Sequence, residues 1–198
     1  MVKVGMSLME KARKKTKSDQ AFTLVVLFLV LIMFAIVFVN TYVLVSVKIK
    51  GASMVPTMKD GDVLVVNRYK EVKHGSIVVI SGEKNNGEWI IKRVIAMEGD
   101  TVKIEPAVDG VFIKYKGTDS FVKLDEPYAQ GVTGARDWRE KTLEEDEIFY
   151  LGDNREYSHD SRNADFSTCK ESQIVGVVTD WSMATSGFGK FIMDLFYR

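Results

Sequence analysis

The chain has few of the residues that hold metals and disulfides. It contains 198 residues but only one cysteine, Cys169, so no disulfide can form within it. Its two histidines, His74 and His159, form neither a His-Glu-x-x-His pair nor another metal-ligand spacing. The sequence therefore predicts no metal and no cofactor. We interpret Cys169 as a structural residue, because no partner that would activate its thiol lies beside it.

Net charge is also absent from the chain as a whole, but the two signs are unevenly distributed. The first 20 residues carry six basic and two acidic side chains, a net charge of +4. Because the formal net charge of the chain is zero, residues 21–198 carry −4. A mildly acidic main domain lacks the basic face that binds phosphates, so we expect no nucleic-acid partner.

Charge disappears entirely between residues 21 and 39, which read AFTLVVLFLVLIMFAIVFV. As a helix this segment would span roughly 28 Å, close to the thickness of a bilayer's hydrocarbon core. It is too long for the apolar core of a cleaved signal peptide, and no Ala-x-Ala site follows it. A helix buried in a soluble domain is rarely apolar on every face. We therefore predict an uncleaved anchor at residues 21–42, with the lipid bilayer as a partner.

The flanks of this anchor predict its orientation. Basic residues favour the cytoplasmic side, and six of them precede the anchor, whereas Lys48 and Lys50 alone follow it closely. We expect a single-pass protein of the cell membrane, with residues 1–20 in the cytoplasm and residues 43–198 outside the cell.

Short runs rich in valine and isoleucine dominate the rest of the chain. DVLVVNRY, SIVVISG and EIFYLGD are examples, and glycine, aspartate and asparagine separate such runs. Asp109-Gly110 is a hairpin-turn signal between two of them. The expected fold class is mostly β: a single N-terminal transmembrane helix, then an antiparallel β domain with an inserted β subdomain at about 105–147.

The C-terminal tail has a different pattern. Apolar side chains at positions 188, 191, 192, 195 and 196 have the spacing of an amphipathic helix. This helix either packs on the β domain, which we favour, or lies on the membrane surface.

Ser53, in GASMVPT, is the candidate nucleophile, because small neighbours in a predicted loop leave room for a substrate. A serine hydroxyl barely ionises at neutral pH and needs a base. His159 precedes Asp160, but adjacency in sequence does not orient a ring, and His74 lies in a polar turn. A histidine base is therefore the weaker interpretation.

A neutral lysine is the alternative base. A free lysine has a pKa of about 10.4, so its amine stays uncharged at neutral pH only when burial lowers that value. In EWIIKRVIAM, two-residue alternation places Lys92 on an apolar face with Ile90, Val94 and Ala96. Arg93 has similar neighbours on the opposite face. An edge-strand lysine with its amine in water is the competing interpretation.

The segment GDNREYSHDSR, residues 152–162, is dense in polar side chains. It is either a solvated loop rich in turn formers or a hydrogen-bonded network beside a site. In the second case Asp153 and Asp160 pair with arginines, and Ser158 can orient an amine.

Three segments together resemble the signature boxes of bacterial type I signal peptidases. They are SMVPT at 53–57, KRVIAMEGD at 92–100 and GDNREYSHDSR at 152–162, in the family's order and after a single anchor, as in Gram-positive members. The resemblance covers about residues 20–180. It implies a membrane-bound serine endopeptidase that removes signal peptides from secreted preproteins by cleaving after Ala-x-Ala-like sites. The protein export machinery is then a candidate partner.

Matched residue by residue, the resemblance implies that Ser53 is the nucleophile and Lys92 the general base. Ser158 would hydrogen-bond the lysine amine. The residues that would hold the site together by ion pairing are Arg93, Asp153, Asp160 and Arg162. The backbone N–H of Ser53 would meet the oxyanion. Gly51 stands where some members have a second, hydroxyl donor, so that donor is unassigned.

Glu98 departs from the family pattern, which usually has a proline before Gly-Asp, and this leaves the shape of the turn open. Two other function classes compete with the peptidase. Self-cleaving Ser-Lys proteases such as SOS-response repressors have a similar core but are soluble and usually carry a DNA-binding domain. An inactive, membrane-tethered β scaffold would have no use for Ser53 and Lys92.

Overall fold

The computed structural model describes residues 2–82 and 87–180, without the side chains of residues 2–18 and 40. Contacts divide the chain into two compact units, Met1–Val43 and Leu44–Arg198. The amphipathic pattern at 188–196 lies outside the described residues, so its helix stays a prediction.

The first unit is a long helix, α1, at Val2–Phe38, followed by a π-helical turn at Val39–Val43. Within it, Asp19–Val43 has a mean hydropathy of 3.3 and is the one helical segment, among the residues described, that is long and apolar enough to cross a membrane. Its apolar side chains are exposed on every face. The hydroxyls of Thr23 and Thr41 donate to carbonyl oxygens four residues earlier at 2.8 Å, which satisfies them without water.

In the described part of the second unit, residues 44–82 and 87–180, there are eleven strands. They are β1 Leu44–Lys48, β2 Val63–Asn67, β3 Ile77–Ile80, β4 Ile90–Ala96, β5 Thr101–Glu105, β6 Gly110–Lys114, β7 Val122–Lys123, β8 Lys141–Thr142, β9 Glu147–Leu151, β10 Cys169–Lys170 and β11 Ile174–Val178. Seven form one sheet in the order β1-β2-β11-β3-β4-β9-β10, and four form a second in the order β7-β6-β5-β8. Every strand pair is antiparallel. The mostly antiparallel β prediction is confirmed.

Strand β4 lies inside the larger sheet, between β3 and β9. Lys92 faces Val78 across one ladder, and Arg93 faces Leu151 across the other. A bulge between Val94 and Ala96 shifts the register. Ile90 and Val94 therefore pack with one buried cluster, whereas Ala96 joins another. The expected alternation was wrong at Ala96, because a bulge changes the face on which the following residues lie.

The smaller sheet packs on the larger one through β9. Phe149 and Leu151 of β9 share a buried cluster with Val102 and Ile113 of the smaller sheet. Its first two strands form a hairpin in which Asp109 takes up a left-handed conformation at φ 43°. The strands of this sheet begin at Thr101 and end at Thr142. The smaller sheet, between β4 and β9 in sequence, thus extends the core.

Candidate active site

Ser53 lies in the connection between β1 and β2. The ends of this connection are closed by Ile49, whose N–H donates to the Asp62 carbonyl at 2.8 Å. Gly51 has a φ of 87°, which favours glycine, and its N–H donates to Asp60 Oδ1 at 2.7 Å. Met54 is buried in the same apolar cluster as Ile91 of β4. The loop is therefore anchored on both sides of a half-buried Ser53.

Lys92 extends from β4 to this serine. Its Nζ lies 2.9 Å from Ser53 Oγ and 3.1 Å from the Ile91 carbonyl oxygen. The side chain is only 4% exposed. Burial lowers the pKa of the amine to about 8, although the negative charges of Asp160 and Asp153 raise it in part. An amine at this distance and with this pKa can accept a hydroxyl proton near neutral pH.

A groove of about 420 Å³ opens over this contact. Residues 47–50, at the end of β1, form one wall, and residues 87–91, at the start of β4, form the other. Ser53, Met54 and Lys92 also line it. The walls are mixed in character, with Ile49 and Ile90 among the apolar residues and Lys50 and Glu88 among the charged ones. Such a groove suits an extended peptide segment.

Arg93 and Asp153 form a two-point ion pair behind the groove. Arg93 Nε lies 2.8 Å from Asp153 Oδ1, and its Nη2 lies 2.6 Å from Oδ2. The guanidinium also lies over the ring of Tyr128, with its central carbon 3.9 Å from the ring centroid. Asp153 is fully buried and accepts a further hydrogen bond from Thr57 in the nucleophile's loop. The pair thus joins β4, the loop after β9 and the loop of Ser53.

Asp160 and Arg162 form a second pair, inside the loop 152–162. Arg162 Nε donates to Asp160 Oδ1 at 2.8 Å, and its Nη2 donates to Oδ2 at 2.9 Å. Burial would raise the pKa of Asp160, but the hydrogen bonds and charge of Arg162 outweigh it and lower that pKa. Asp160 also accepts the Gly152 N–H at 3.1 Å. These bonds form a buried network inside the loop, whereas Glu156, Tyr157 and His159 remain exposed.

A protein-family model described as signal peptidase, peptidase S26, matches residues 21–181.

The chain belongs to the signal peptidase family.

Several signal peptidases are similar to it over most of their length. Signal peptidase I V of Bacillus subtilis is 33% identical over 153 residues, which cover 72% of this chain and 88% of the relative. Signal peptidase IB of Staphylococcus aureus is 35% identical over 168 residues, which cover 74% of this chain and 82% of the relative. A crystal structure of a signal peptidase I from Enterococcus faecalis is 26% identical with a TM-score of 0.43, covering 56% of this chain and 98% of that one.

Membership confirms the resemblance and decides for the enzyme over the repressor-like protease and the inactive scaffold. The protein is a peptidase of the family that removes signal peptides from preproteins. A family of this kind, together with the apolar helix at Asp19–Val43, supports a membrane-anchored protein.

Ser158 lies beside the contact between Ser53 and Lys92 of this signal peptidase but takes no part in it. Its side chain is 2% exposed, and Oγ makes no hydrogen bond of good geometry among the described residues. It is close enough to Asp160 to favour the ionised carboxylate, which lowers the pKa of Asp160 further. A Cβ on Gly152 would come within 2.2 Å of Ser158 Oγ and 2.5 Å of the Ser53 carbonyl oxygen. Glycine at 152 therefore permits Ser158 and Ser53 to approach, but the expected bond to the amine is not formed here.

Neither histidine contacts the candidate nucleophile of this signal peptidase. His74 Nε2 lies 2.6 Å from Asp100, and His159 Nε2 lies 3.2 Å from Asp165 rather than contacting the adjacent Asp160. Among the described residues, no group of three or more His, Cys, Asp or Glu side chains could hold a metal ion. The geometry therefore favours the lysine as the base.

The turn at Glu98 forms without the proline that signal peptidases usually have there. Asp100 N–H donates to the Met97 carbonyl at 3.0 Å, and Gly99 takes φ 82°. Glu98 itself faces outward, where Lys116 lies 2.7 Å away and lowers the pKa of the carboxyl. The substitution leaves the turn intact.

Four polar residues to which the sequence assigned no role contact the network: Thr57, Glu126, Arg136 and Asn154. Glu126 pairs with the buried Arg155 at 2.6 and 3.0 Å. Arg136 donates to the Ser158 carbonyl at 2.6 Å, and no pattern distinguishes this exposed arginine from others.

Proposed function

We propose that the protein cleaves signal peptides with a Ser-Lys dyad, in which Ser53 is the nucleophile and Lys92 the general base. The observation that carries the proposal is the 2.9 Å contact between Lys92 Nζ and Ser53 Oγ, made by a buried amine with a pKa lowered to about 8. At pH 7 about a tenth of such amines are neutral, against fewer than about one in a thousand for a free lysine.

The reaction proceeds through an acyl-enzyme. Lys92 takes the hydroxyl proton of Ser53 as Oγ attacks the scissile carbonyl carbon, and the oxyanion accepts a hydrogen bond from the Ser53 N–H. The proton then passes from Lys92 to the leaving amine as the peptide C–N bond breaks. Lys92 next takes a proton from water, whose oxygen attacks the ester and releases the new carboxyl end. Lys92 then gives this proton to Ser53 Oγ as the ester C–O bond breaks, so the enzyme is regenerated.

The supporting residues act by fixing these two groups. The ion pairs Arg93–Asp153 and Arg162–Asp160 hold the strand and the loop between which Lys92 is buried. Their carboxylates also limit how far burial lowers the pKa of Lys92. We propose that Ser158, which is buried next to Asp160, orients the amine when substrate is bound.

The groove accounts for a preference for small residues before the cleaved bond. Ser53 and Met54 line the groove together with residues of both walls, so we expect a substrate side chain next to the nucleophile to be confined. An extended segment in such a groove presents alternate side chains to the same wall, which is the spacing of an Ala-x-Ala site.

The anchor places the enzyme in the same plane as its substrates. Six basic residues before the apolar helix favour a cytoplasmic N-terminus and a β unit outside the cell. Signal peptides are themselves apolar segments, so confinement of both chains to one bilayer raises their effective concentration.

A purified preprotein with alanine at −1 and −3 should be cut once, after the −1 residue. Replacing the −1 alanine by leucine should lower kcat/KM by about 100-fold or more, because the added carbons have no space beside Ser53. Cleavage is measured by the mass of the released fragments. A −1 serine is the matched control and should be cut at a rate similar to that of alanine. Equal cleavage of the leucine substrate would contradict the proposed specificity.

The rate of cleavage should rise with pH. The active form of Lys92 is the neutral one, so kcat/KM increases about tenfold per pH unit below the pKa of about 8 and levels off above it. The measurement uses a substrate with no titrating group near the scissile bond between pH 6 and 9.5. A profile that is flat or falls over this range would exclude a lysine base.

A further inference from the structure

Asn154 holds the backbone of the nucleophile's loop at two successive carbonyls. Its side-chain Nδ2 donates to the Ala52 carbonyl oxygen at 3.1 Å, and its backbone N–H donates to the Ser53 carbonyl oxygen at 3.0 Å. Asn154 is only 9% exposed. Its own position is fixed by Gln130, with which it forms a parallel bridge. Asn154 thus hydrogen-bonds the peptide groups on both sides of Ser53.

The orientation of the peptide between Ala52 and Ser53 decides the direction of the Ser53 N–H. This peptide is trans, so its C=O and N–H point in opposite directions. The Asn154 amide and, at 3.2 Å, the Val55 N–H both donate to the C=O end, so the N–H end is directed away from Asn154. Ser53 lines the groove, and its N–H donates to none of the residues that the structure describes. A donor that is free and adjacent to the attacking oxygen is suited to a developing oxyanion.

We propose that Asn154 is a positioning residue, whose side-chain amide orients the Ala52–Ser53 peptide so that the Ser53 N–H binds the oxyanion. The inference rests on the proposed role of Ser53 as nucleophile. It depends on the donor character of the amide. Aspartate has the same shape but presents only acceptors to the Ala52 carbonyl oxygen, and alanine presents nothing.

The test compares Asn154→Ala and Asn154→Asp with the wild type in steady-state cleavage of the preprotein. Both variants keep the backbone hydrogen bond to Ser53. We expect kcat to fall about 10- to 100-fold with KM changed less than about threefold, because the oxyanion forms only after binding. In Asn154→Ala the midpoint of the pH profile should stay where it is, since the contact between Lys92 and Ser53 does not involve Nδ2.

Asn67→Ala is the matched control. Asn67 lies at the end of β2, and its side chain accepts a hydrogen bond from the Tyr69 N–H at 2.9 Å. The variant therefore also loses one hydrogen bond between a side chain and the backbone, but it should keep the wild-type kcat. Wild-type kcat in Asn154→Ala, or a loss confined to KM, overturns the role of Asn154 while the dyad stands. A kcat that is retained in Asn154→Asp but lost in Asn154→Ala also overturns it, since shape alone would then suffice. Absence of cleavage by the wild type, or cleavage by Ser53→Ala, overturns the dyad and this inference together.

Discussion

Replacing Lys92 by methionine should lower kcat for preprotein cleavage by about four orders of magnitude or more. Methionine fills the buried space of the lysine stem but cannot take a proton from Ser53 Oγ. Lys92→Arg should fail equally, because a guanidinium stays charged at any pH in the assay. Ser53→Ala removes the attacking oxygen, and combining it with Lys92→Met should add almost no further loss, since the two groups act as one unit. Cleavage is followed in single-turnover reactions long enough to detect a very slow rate.

Folding of these variants separates a catalytic loss from a structural one. Lys92→Met removes an amine that loses solvation in the folded chain, so its melting temperature should equal or exceed that of the wild type. Lys70→Met is the matched control: this lysine forms an exposed pair with Asp180, and the variant should cleave normally. Substantial single-turnover cleavage by Lys92→Met or by Ser53→Ala would remove that residue from the mechanism.

The anchor and the fold class were predictable because each has a local pattern. The uncharged run at residues 21–39 can be recognised without knowing which other residues it contacts. Helix α1 covers this run as far as Phe38. Short valine-rich runs separated by turn residues likewise give strands without knowledge of their neighbours. The bulge in β4 was not predictable in this way. The bulge accompanies a change of partner: Val94 packs in one buried cluster, and residues 95 and 96 pack in another. Which cluster each residue joins is decided by the packing of the two sheets.

The sequence pattern proposes which residues form the candidate site, but it does not indicate how their charges pair. The loop 152–162 contains Asp153, Asp160 and two arginines, which allow several pairings within the loop. In the structure only Asp160 pairs within it, with Arg162, whereas Asp153 pairs with Arg93 on β4. Such long-range choices follow from the strand order, which brings β4 and β9 side by side. Asn154 likewise contacts the Ser53 loop, which lies about 100 residues earlier and connects two strands that are not neighbours of β9.

The pair of Asp160 and Arg162 is the other place where one substitution should have a large effect. Both side chains are fully buried, so removing one partner leaves a buried charge without solvent and without its hydrogen-bonded counter-ion. Arg162→Met should lower the free energy of unfolding by about 3–5 kcal/mol, or the melting temperature by about 10 °C for a unit of this size. Because the pKa of Asp160 is lowered in the folded protein, this contribution is present at neutral pH and is lost as the pH falls below the carboxyl's ordinary value of about 3.9.

Exposed and doubly substituted variants identify burial as the cause of that loss. Lys70→Met also breaks an ion pair, but one in solvent, and should cost less than about 1 kcal/mol. Asp160→Asn combined with Arg162→Met removes both charges and should be more stable than Arg162→Met alone, which a double-mutant cycle in denaturant measures. In the double variant the charge that raises the pKa of Lys92 most is gone, so the midpoint of its pH profile should move below about 8. If Arg162→Met were no less stable than Lys70→Met, the buried pair would not hold this loop, and the low exposure of Lys92 would need another cause.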